Sequence, residues 1–379
     1  MRIGVDARLY GLEHTGIGRY VQRLVVELLK KDKKNHYILF VRPKYAHEFD
    51  SYENVSIRVV NTPIYGFLEQ ILLPVIYMFE KLDLLHIPHF NAPILYPGKI
   101  VVTIHDLIKH YSKGKETTTR QGFLYTIKRI GYLFLVSAII RKATKIIVPS
   151  KFVKGDLIRN FNINEDKITV TYESVDAQIK IAKLSDTEKK QVLKKYGLAK
   201  PFIAYTGSLY PHKNVDLLID AVIDHNRTRE VDLNLAIICA RNVFYERMNQ
   251  KIISKQASGF IKLLGFLPDE EVSKLYSLAL CLVHPSKMEG FGLTGLEAMK
   301  VGLPVISSSA SCLPEVYGDA ALFFDPDSKA SLMETLSLII GDRSLREKLV
   351  SLGLLQVKKY SWARMAKETL KVYQEASTG

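Results

Sequence analysis

The chain has 379 residues, 47% of them hydrophobic and 24% charged, with a formal net charge of +14. That length exceeds what one hydrophobic core usually supports, so two domains are expected, and the composition excludes a disordered or fibrous protein. The positive surplus suits a nucleic acid, an anionic lipid or a phosphorylated substrate without choosing among them.

Met1 leads straight into the first predicted strand, RIGVDA (2–7), without the charged and long apolar segments of a secretory signal, so a cytoplasmic protein is expected. Further strands are predicted at YILFV (37–41), VSIRVV (55–60), LLHIP (84–88), KIVVTI (99–104), KIIVPS (145–150) and ITVTY (168–172), with helices between them. This alternation marks parallel sheets with crossover helices. YSKGKETTTRQG (111–122) is polar enough for a mobile loop. The longest apolar run, IGYLFLVSAII (130–140), falls short of the roughly 18 residues of a spanning helix. The helix expected at 123–142 is flanked by Lys128, Arg129, Arg141 and Lys142 and either lies on a membrane surface or, the commoner arrangement, packs on the sheet. Residues 1–176 hold 26 Lys and Arg against 17 Asp and Glu, while residues 177–379 hold 27 against 22, so the first half is the more basic.

A boundary is placed near Asp176. Beyond it, Ser185-Asp-Thr-Glu188 is a capping-box pattern whose helix ends near Gly197. Strands follow at FIAYTG (202–207), NLAIICA (234–240), IKLLGF (261–266), LALCLVHP (278–285), LPVISS (303–308) and ALFFD (321–325), and the tail SWARMAKETLKVYQEAS is helical. Two α/β domains result, 1–176 and 177–357, with a terminal helix of about 358–379 that can pack back on the first. Cys239, Cys281 and Cys312 have no metal-like or disulfide-like spacing and read as small buried hydrophobes. The unusual clusters, YGLEHTGIGRY (10–20), HFN (89–91), HDL (105–107), GSLYPHKN (207–214) and SKMEGFG (286–292), all lie just beyond the carboxyl end of a predicted strand. Ligands bind there in open α/β sheets, and two such domains facing each other would form a cleft.

In PSKMEGFGLTGLEAMKVGLPV (285–305), Gly290 and Gly292 remove Cβ atoms so that a turn can approach a ligand, and the amides near Leu293 and Thr294 open a helix, where the dipole favours a phosphate. Glu289 precedes the turn and Glu297 follows it. Neither suits a phosphate, but carboxylates accept paired hydroxyls, so the combination fits a ligand with a phosphate centre and hydroxyl-rich ends, such as a nucleotide sugar. The plainer alternative is a tight glycine turn with Glu297 favouring the helix dipole. After Gly207, His212 and Lys213 offer cations to a diphosphate, or else form a solvated helix start capped by Asn214.

GSLYPHKN with EGFGLTGLEAMKVGLPVI and SCLPEVYGDAALFFDP resembles the donor half of glycosyltransferase family 4, the retaining enzymes of GT-B fold. GVDARLYGLEHTGIGRYV and TIHDL resemble the acceptor half, especially of the mannosyltransferase-like branch, so the likeness runs from Arg2 to about Asp325. It implies two Rossmann-like domains across a cleft, the first for the acceptor and the second for the donor. It also implies that Glu289 contacts donor-sugar hydroxyls and Glu297 the ribose hydroxyls. The amides of Gly290, Phe291, Gly292, Leu293 and Thr294 then take the diphosphate or sugar, and Lys213 binds the diphosphate beside Gly207. Gly16 and Gly18 resemble the family's glycine loop near the phosphates, with an ordinary helix-opening turn as the alternative, since the spacing is not G-x-G-x-x-G. The resemblance also implies that His105, after strand KIVVTI and beside Asp106, faces the transferred sugar, with a structural histidine at a strand end as the alternative. One departure is His212, where many members carry Arg: histidine lacks the guanidinium fork and is only partly charged at neutral pH.

The expected activity is transfer of a hexose, mannose from GDP-mannose as first choice, from a nucleotide-diphosphate sugar to a glycan or lipid-linked acceptor with retention. Glu289, His105 and Lys213 are the catalytic candidates. No metal or other cofactor is expected, and Asp325-Pro-Asp327, although of D-x-D form, reads as a turn. Peripheral contact with an anionic membrane is a further expectation, through the basic first half. Rival readings are an epimerase or phosphorylase of the same fold, or a polyanion-binding protein. The dispersed basic residues, not interleaved with aromatics, count against nucleic acid.

Overall fold

Buried on both faces, the strands of a parallel sheet need near-continuous apolar runs, and the runs read above build two such sheets. The computed structural model describes residues 1–11, 13, 15–64, 66, 68–111, 123–176, 179–228 and 232–378; the loop expected at 111–122 lies outside them but for Tyr111. The first sheet contains β1 (Arg2–Asp6), β2 (His36–Val41), β3 (Val55–Val59), β4 (Leu84–Ile87), β5 (Ile100–Thr103), β6 (Lys145–Val148) and β7 (Ile168–Val170), ordered β3-β2-β1-β4-β5-β6-β7. All its pairings are parallel. Helices α1 (Thr15–Lys31), α2 (Glu69–Phe79), α3 (Ile108–Tyr111), α4 (Phe123–Lys142) and α5 (Lys151–Phe161) connect the strands.

Alternate residues of each strand meet different helices. Val5 and Leu39 share a core cluster with Leu24 and Leu28 of α1, whereas Phe40 and Leu85 meet Leu73 and Tyr77 of α2. Val136 and Ile140 of α4 pack with Val102 and Ile146, so this helix lies on the sheet.

The second sheet contains β8 (Phe202–Thr206), β9 (Asn234–Ile238), β10 (Ile261–Gly265), β11 (Leu282–His284), β12 (Val305–Ser308) and β13 (Ala321–Phe324), ordered β10-β9-β8-β11-β12-β13 and again parallel. Its helices are α6 (Asp186–Tyr196), α7 (Val215–Thr228), α8 (Val243–Ser254), α9 (Asp269–Tyr276), α10 (Leu293–Lys300), α11 (Leu313–Tyr317), α12 (Lys329–Gly341) and α13 (Arg343–Val357), and α14 (Trp362–Thr378) follows. Ser185 and Glu188 form the capping box of α6, and Gly197 ends that helix at φ +61°. The strand expected at 278–285 is shortened to Leu282–His284 because the amides of Leu278 and Ala279 still bond back to Leu275, closing α9.

The described residues divide into two compact units, 1–111 with 123–173 and 361–378, and 174–360. In the first unit, Tyr373 of α14 reaches the His86 ring with its hydroxyl at 2.6 Å, and Lys99 donates to the Ser377 carbonyl at 2.7 Å. Strand order reverses between β1 and β4 in one sheet and between β8 and β11 in the other. The crevice at the carboxyl ends of such a pair is where doubly wound sheets hold ligands.

Candidate functional site

At the second unit's reversal, β8 ends in Gly207, whose φ of +152° favours glycine. A single 3-10 turn, Pro211–Lys213, then carries the chain to Asn214 at φ +57°. The Asn214 side-chain Nδ2 donates to the Pro326 carbonyl at 2.8 Å, which ties this turn to the segment after β13. Lys213 points at the loop beyond β11, where its ammonium meets Glu289 Oε1 at 2.5 Å. His284, the last residue of β11, donates from Nε2 to the same oxygen at 2.9 Å. Among the described residues no hydrogen bond reaches the other oxygen, Oε2. The Glu289 amide is held by Ser311 Oγ at 3.0 Å. Burial alone would raise the Glu289 pKa, but the charge of Lys213 and the His284 bond outweigh it and hold the carboxyl well below its usual range. Glu289 is therefore an anchored carboxylate with one oxygen to spare.

The turn into α10 owes its glycines to the protein itself. Gly292 stands at φ +92°, and a Cβ there would lie 2.7 Å from both Leu313 and the Tyr317 hydroxyl; at Gly295 it would lie 2.3 Å from the Tyr317 ring. Tyr317 Oη bonds the Gly292 carbonyl at 2.6 Å, the Gly295 amide at 3.2 Å and His284 Nδ1 at 2.7 Å. One buried tyrosine thus shapes the turn and seats the histidine that seats Glu289. Phe291 packs its ring edge-on to Tyr360 and is 4% exposed, so only its backbone is presented to a ligand. Gly290 lies in this loop, and Leu293 and Thr294 form the first turn of α10, whose leading amides have no partner within the helix. Glu297 lies half-buried further along α10.

His212 departs from the partly charged cation expected of it. Burial, reinforced by the neighbouring Lys213 charge and only partly opposed by Glu289, pushes its pKa down to about 4, so the ring is neutral at pH 7. Among the described residues its Nδ1 is buried without a hydrogen-bond partner, and its ring stacks on Tyr210 with centroids 5.9 Å apart. Asp325 and Asp327 form a turn, with the Asp327 amide on Asp325 Oδ1 at 2.9 Å and the Asp327 carboxylate paired to Lys287.

In the first unit, His105 stands beyond β5 with both ring nitrogens engaged, Nε2 on the Pro88 carbonyl at 3.0 Å and Nδ1 on Glu173 at 3.3 Å. Both partners are acceptors, so only the doubly protonated ring satisfies them. Burial lowers the His105 pKa, but Glu173 and the Pro88 carbonyl raise it to a net upward shift. Tyr20 packs edge-on against the ring at 4.7 Å and shares Thr103 Oγ1 with His86. Gly16 and Gly18 lie inside the first turn of α1 and do not form a separate loop. Among the described residues a Cβ on Gly16 would meet nothing within 4 Å, so their packing does not account for that glycine.

A second cluster stands at the β1–β4 reversal, its Asp6, Arg8 and Asn91 lying in stretches the motifs quoted without giving those residues a role. Arg8 donates to both oxygens of Asp6 at 2.8 and 2.7 Å and to Glu69 at 3.2 Å, while Asn91 donates to Glu69 at 3.0 Å and Tyr77 to Asp6 at 3.0 Å. Asp6, Arg8 and Glu69 are fully buried. His284, Tyr317, Ser311 and Glu173 were likewise missed. A histidine ending a strand is the signal that singled out His105, and it applies equally to His284.

Residues 14–179 match the family described as Glycosyltransferase Family 4, and residues 186–353 that described as Glycosyl transferases group 1. The chain is 30% identical over 370 residues to O-antigen chain mannosyltransferase B of Escherichia coli, covering 95% of this chain and 96% of that protein. Its fold is similar to that of sucrose-phosphate synthase from Thermosynechococcus elongatus, with a TM-score of 0.77, 17% identity, and 99% and 98% of the two chains covered. It is similar too to HepE of Anabaena solved with UDP and glucose, with a TM-score of 0.72, 17% identity, and 98% and 99% covered.

Proposed function

The chain belongs to glycosyltransferase family 4 and is a glycosyltransferase of the α/β GT-B fold, and we propose that it transfers mannose from GDP-mannose to a glycan or lipid-linked acceptor in cell-surface polysaccharide synthesis, retaining the anomeric configuration. The name of its Escherichia coli relative supports the sugar and the pathway. The observation that carries the reading is the Glu289 carboxylate, anchored through Oε1 by Lys213 and His284 beside the leading amides of α10.

Breaking the anomeric C–O bond develops oxocarbenium character on the sugar and negative charge on the departing diphosphate. Lys213 and the amides from Gly290 to Thr294 stabilise that charge, the largest contribution such a site can make. Oε2 of Glu289 accepts a hydroxyl of the transferred sugar, and Glu297 accepts the ribose hydroxyls. The acceptor hydroxyl enters on the face the diphosphate leaves, a phosphate oxygen taking its proton. His105, with its ring nitrogens committed to Pro88 and Glu173, holds the crevice of the acceptor unit in shape. In this reading the positive groups come from protein, and no metal ion takes part. The chain works in the cytoplasm, peripherally at the inner face of the membrane; among the described residues no helix is long and apolar enough to cross one.

The test is incubation with labelled nucleotide sugars and a panel of glycan and lipid-linked acceptors, reading released nucleotide and the anomer formed. GDP release with an α-linked mannosyl product, undiminished by EDTA, is expected. Epimerised sugar, phosphorolysis, or activity that returns only with magnesium or manganese would overturn the assignment.

A further inference from the structure

Helix α2 wears its apolar residues on the wrong side for a water-soluble surface. Its buried residues are Glu69, Leu73, Pro74 and Tyr77, which face the sheet. The opposite face carries Ile71, Leu72, Val75, Met78 and Phe79, all at least 46% exposed and Phe79 81% exposed. These positions recur at the spacing of one helical face, so they form a strip and not scattered exposures. Leu95, 64% exposed, extends it: its segment runs along α2, with Gln70 bonded to the Ala92 carbonyl and the Ile94 amide. An exposed apolar strip of this kind marks a docking surface.

The charges around the strip choose its occupant. Neither acid of α2 and its end is free on the surface: Glu69 is buried against Arg8 and Asn91, and Glu80 is paired with Arg2 and Arg58. The cations stay outside. Lys81 follows Phe79 and is exposed, and Lys142, at the end of α4 beside exposed Arg141, places its ammonium on the Ile94 carbonyl next to Leu95. Asp83, the next exposed carboxylate along the chain, is bonded to the Arg2 amide. Apolar side chains rimmed by cations match a bilayer with anionic headgroups, in which such a helix lies in the interface plane.

We propose that the outer face of α2 inserts into an anionic membrane and is the element that anchors this chain peripherally. The inference rests on the peripheral reading above and names its contact surface, which is α2 and not the basic-flanked α4. Its geometry has a consequence for the site. Glu69, in the first turn of α2, is bonded to Arg8 and Asn91 at the carboxyl ends of β1 and β4, so the anchoring helix is tied directly to the acceptor unit's crevice.

The full chain is floated with vesicles of phosphatidylcholine and phosphatidylglycerol, and with phosphatidylcholine alone, over a range of salt. Binding to the anionic vesicles that weakens with salt is expected. Ile71→Ser combined with Val75→Ser and Phe79→Ser should lower the partition coefficient at least about tenfold, with the circular dichroism and melting curve of the full chain as the folding control, while Phe134→Ser on α4 leaves it within about twofold. Phe79→Trp should shift its emission to the blue on vesicle addition and be quenched by brominated lipid, which adhesion by charge alone would not produce. Unchanged binding by the triple variant would overturn the role of α2 while leaving peripheral attachment standing. Failure of the parent chain to bind any vesicle would remove both, and concentration-dependent self-association abolished by the triple variant, without vesicle binding, would assign the strip to a second copy. Sugar transfer to a soluble acceptor is measured alongside and judges the catalytic reading separately.

Discussion

Each unit places an ion cluster at the reversal of its sheet, but the two are built to opposite ends. At β1–β4, Arg8, Asp6 and Glu69 are sealed at 0% exposure, and the one guanidinium is shared between the two carboxylates. At β8–β11, Lys213 and Glu289 keep 19% and 11% of their side-chain surface, and only one carboxylate oxygen is spent. The first arrangement consumes its charge in joining β1 to α2. The second leaves part of its charge accessible, and in the proposed reading this half-open pair trades partners with an arriving diphosphate or sugar hydroxyl. Location at a sheet reversal therefore does not decide how much charge stays accessible; packing does.

Substitution should separate the two clusters by what is lost. Arg8→Met leaves two buried carboxylates uncompensated and should cost about 3–5 kcal/mol of stability in urea denaturation. Lys213→Met should cost far less stability, since Glu289 keeps His284 and some solvent, but should lower transfer about 10²- to 10³-fold. Equal destabilisation by the two would make the Lys213 pair a structural bridge and end the contrast.

In the proposed reading the two glutamates Glu289 and Glu297 divide the donor. Glu297→Ala should weaken nucleotide binding by about 1.5–3 kcal/mol, the worth of a charged acceptor, as read by titration with GDP. Glu289→Gln should spare or tighten the free nucleotide, because Lys213 is released to it, while cutting sugar transfer about 100-fold. Parallel losses of nucleotide affinity in both variants would erase the division.

The pH response sharpens the comparison further. The His105 pKa is raised above its ordinary 6.5 by Glu173, so the pair's contribution to stability is fully present below that value and is lost as pH rises through the raised one. The gap in melting temperature between the parent and Glu173→Gln should accordingly narrow on the alkaline side. His212 behaves in the opposite sense. Its pKa is depressed to about 4, so its neutral form stabilises the fold above 6.5 and that contribution falls away as pH drops from 6.5 towards 4. The smallest expected effect follows: from about pH 6 to 8, well above that pKa, His212→Gln should change nucleotide affinity by less than about twofold, whereas His212→Arg should tighten it several-fold. A steep loss of affinity with rising pH in the parent alone would mean that bound diphosphate reprotonates the ring.

The positions of the strands and helices, their parallel arrangement, and the clustering of Gly207, Lys213, Glu289 and His105 beyond strand ends were legible in the sequence. Apolar period, capping boxes and turn glycines act over a few residues, and so does the motif that identified the family. Partnership was not legible. Lys213 and Glu289 are 76 residues apart in the chain, His105 and Glu173 are 68, and only the order of the strands brings each pair within bonding distance. Gly292 was readable as a special glycine, but its reason, the Tyr317 side chain beneath it, arrives from 25 residues away. The same holds for the protonation of His212, which depends on the burial that packing imposes and not on residue type. Helix α2 is apolar on nearly every side, so its period could not say which face the sheet would cover; docking on β2 and β4 through Leu73 and Tyr77 decided that Ile71, Val75 and Phe79 would be left in water.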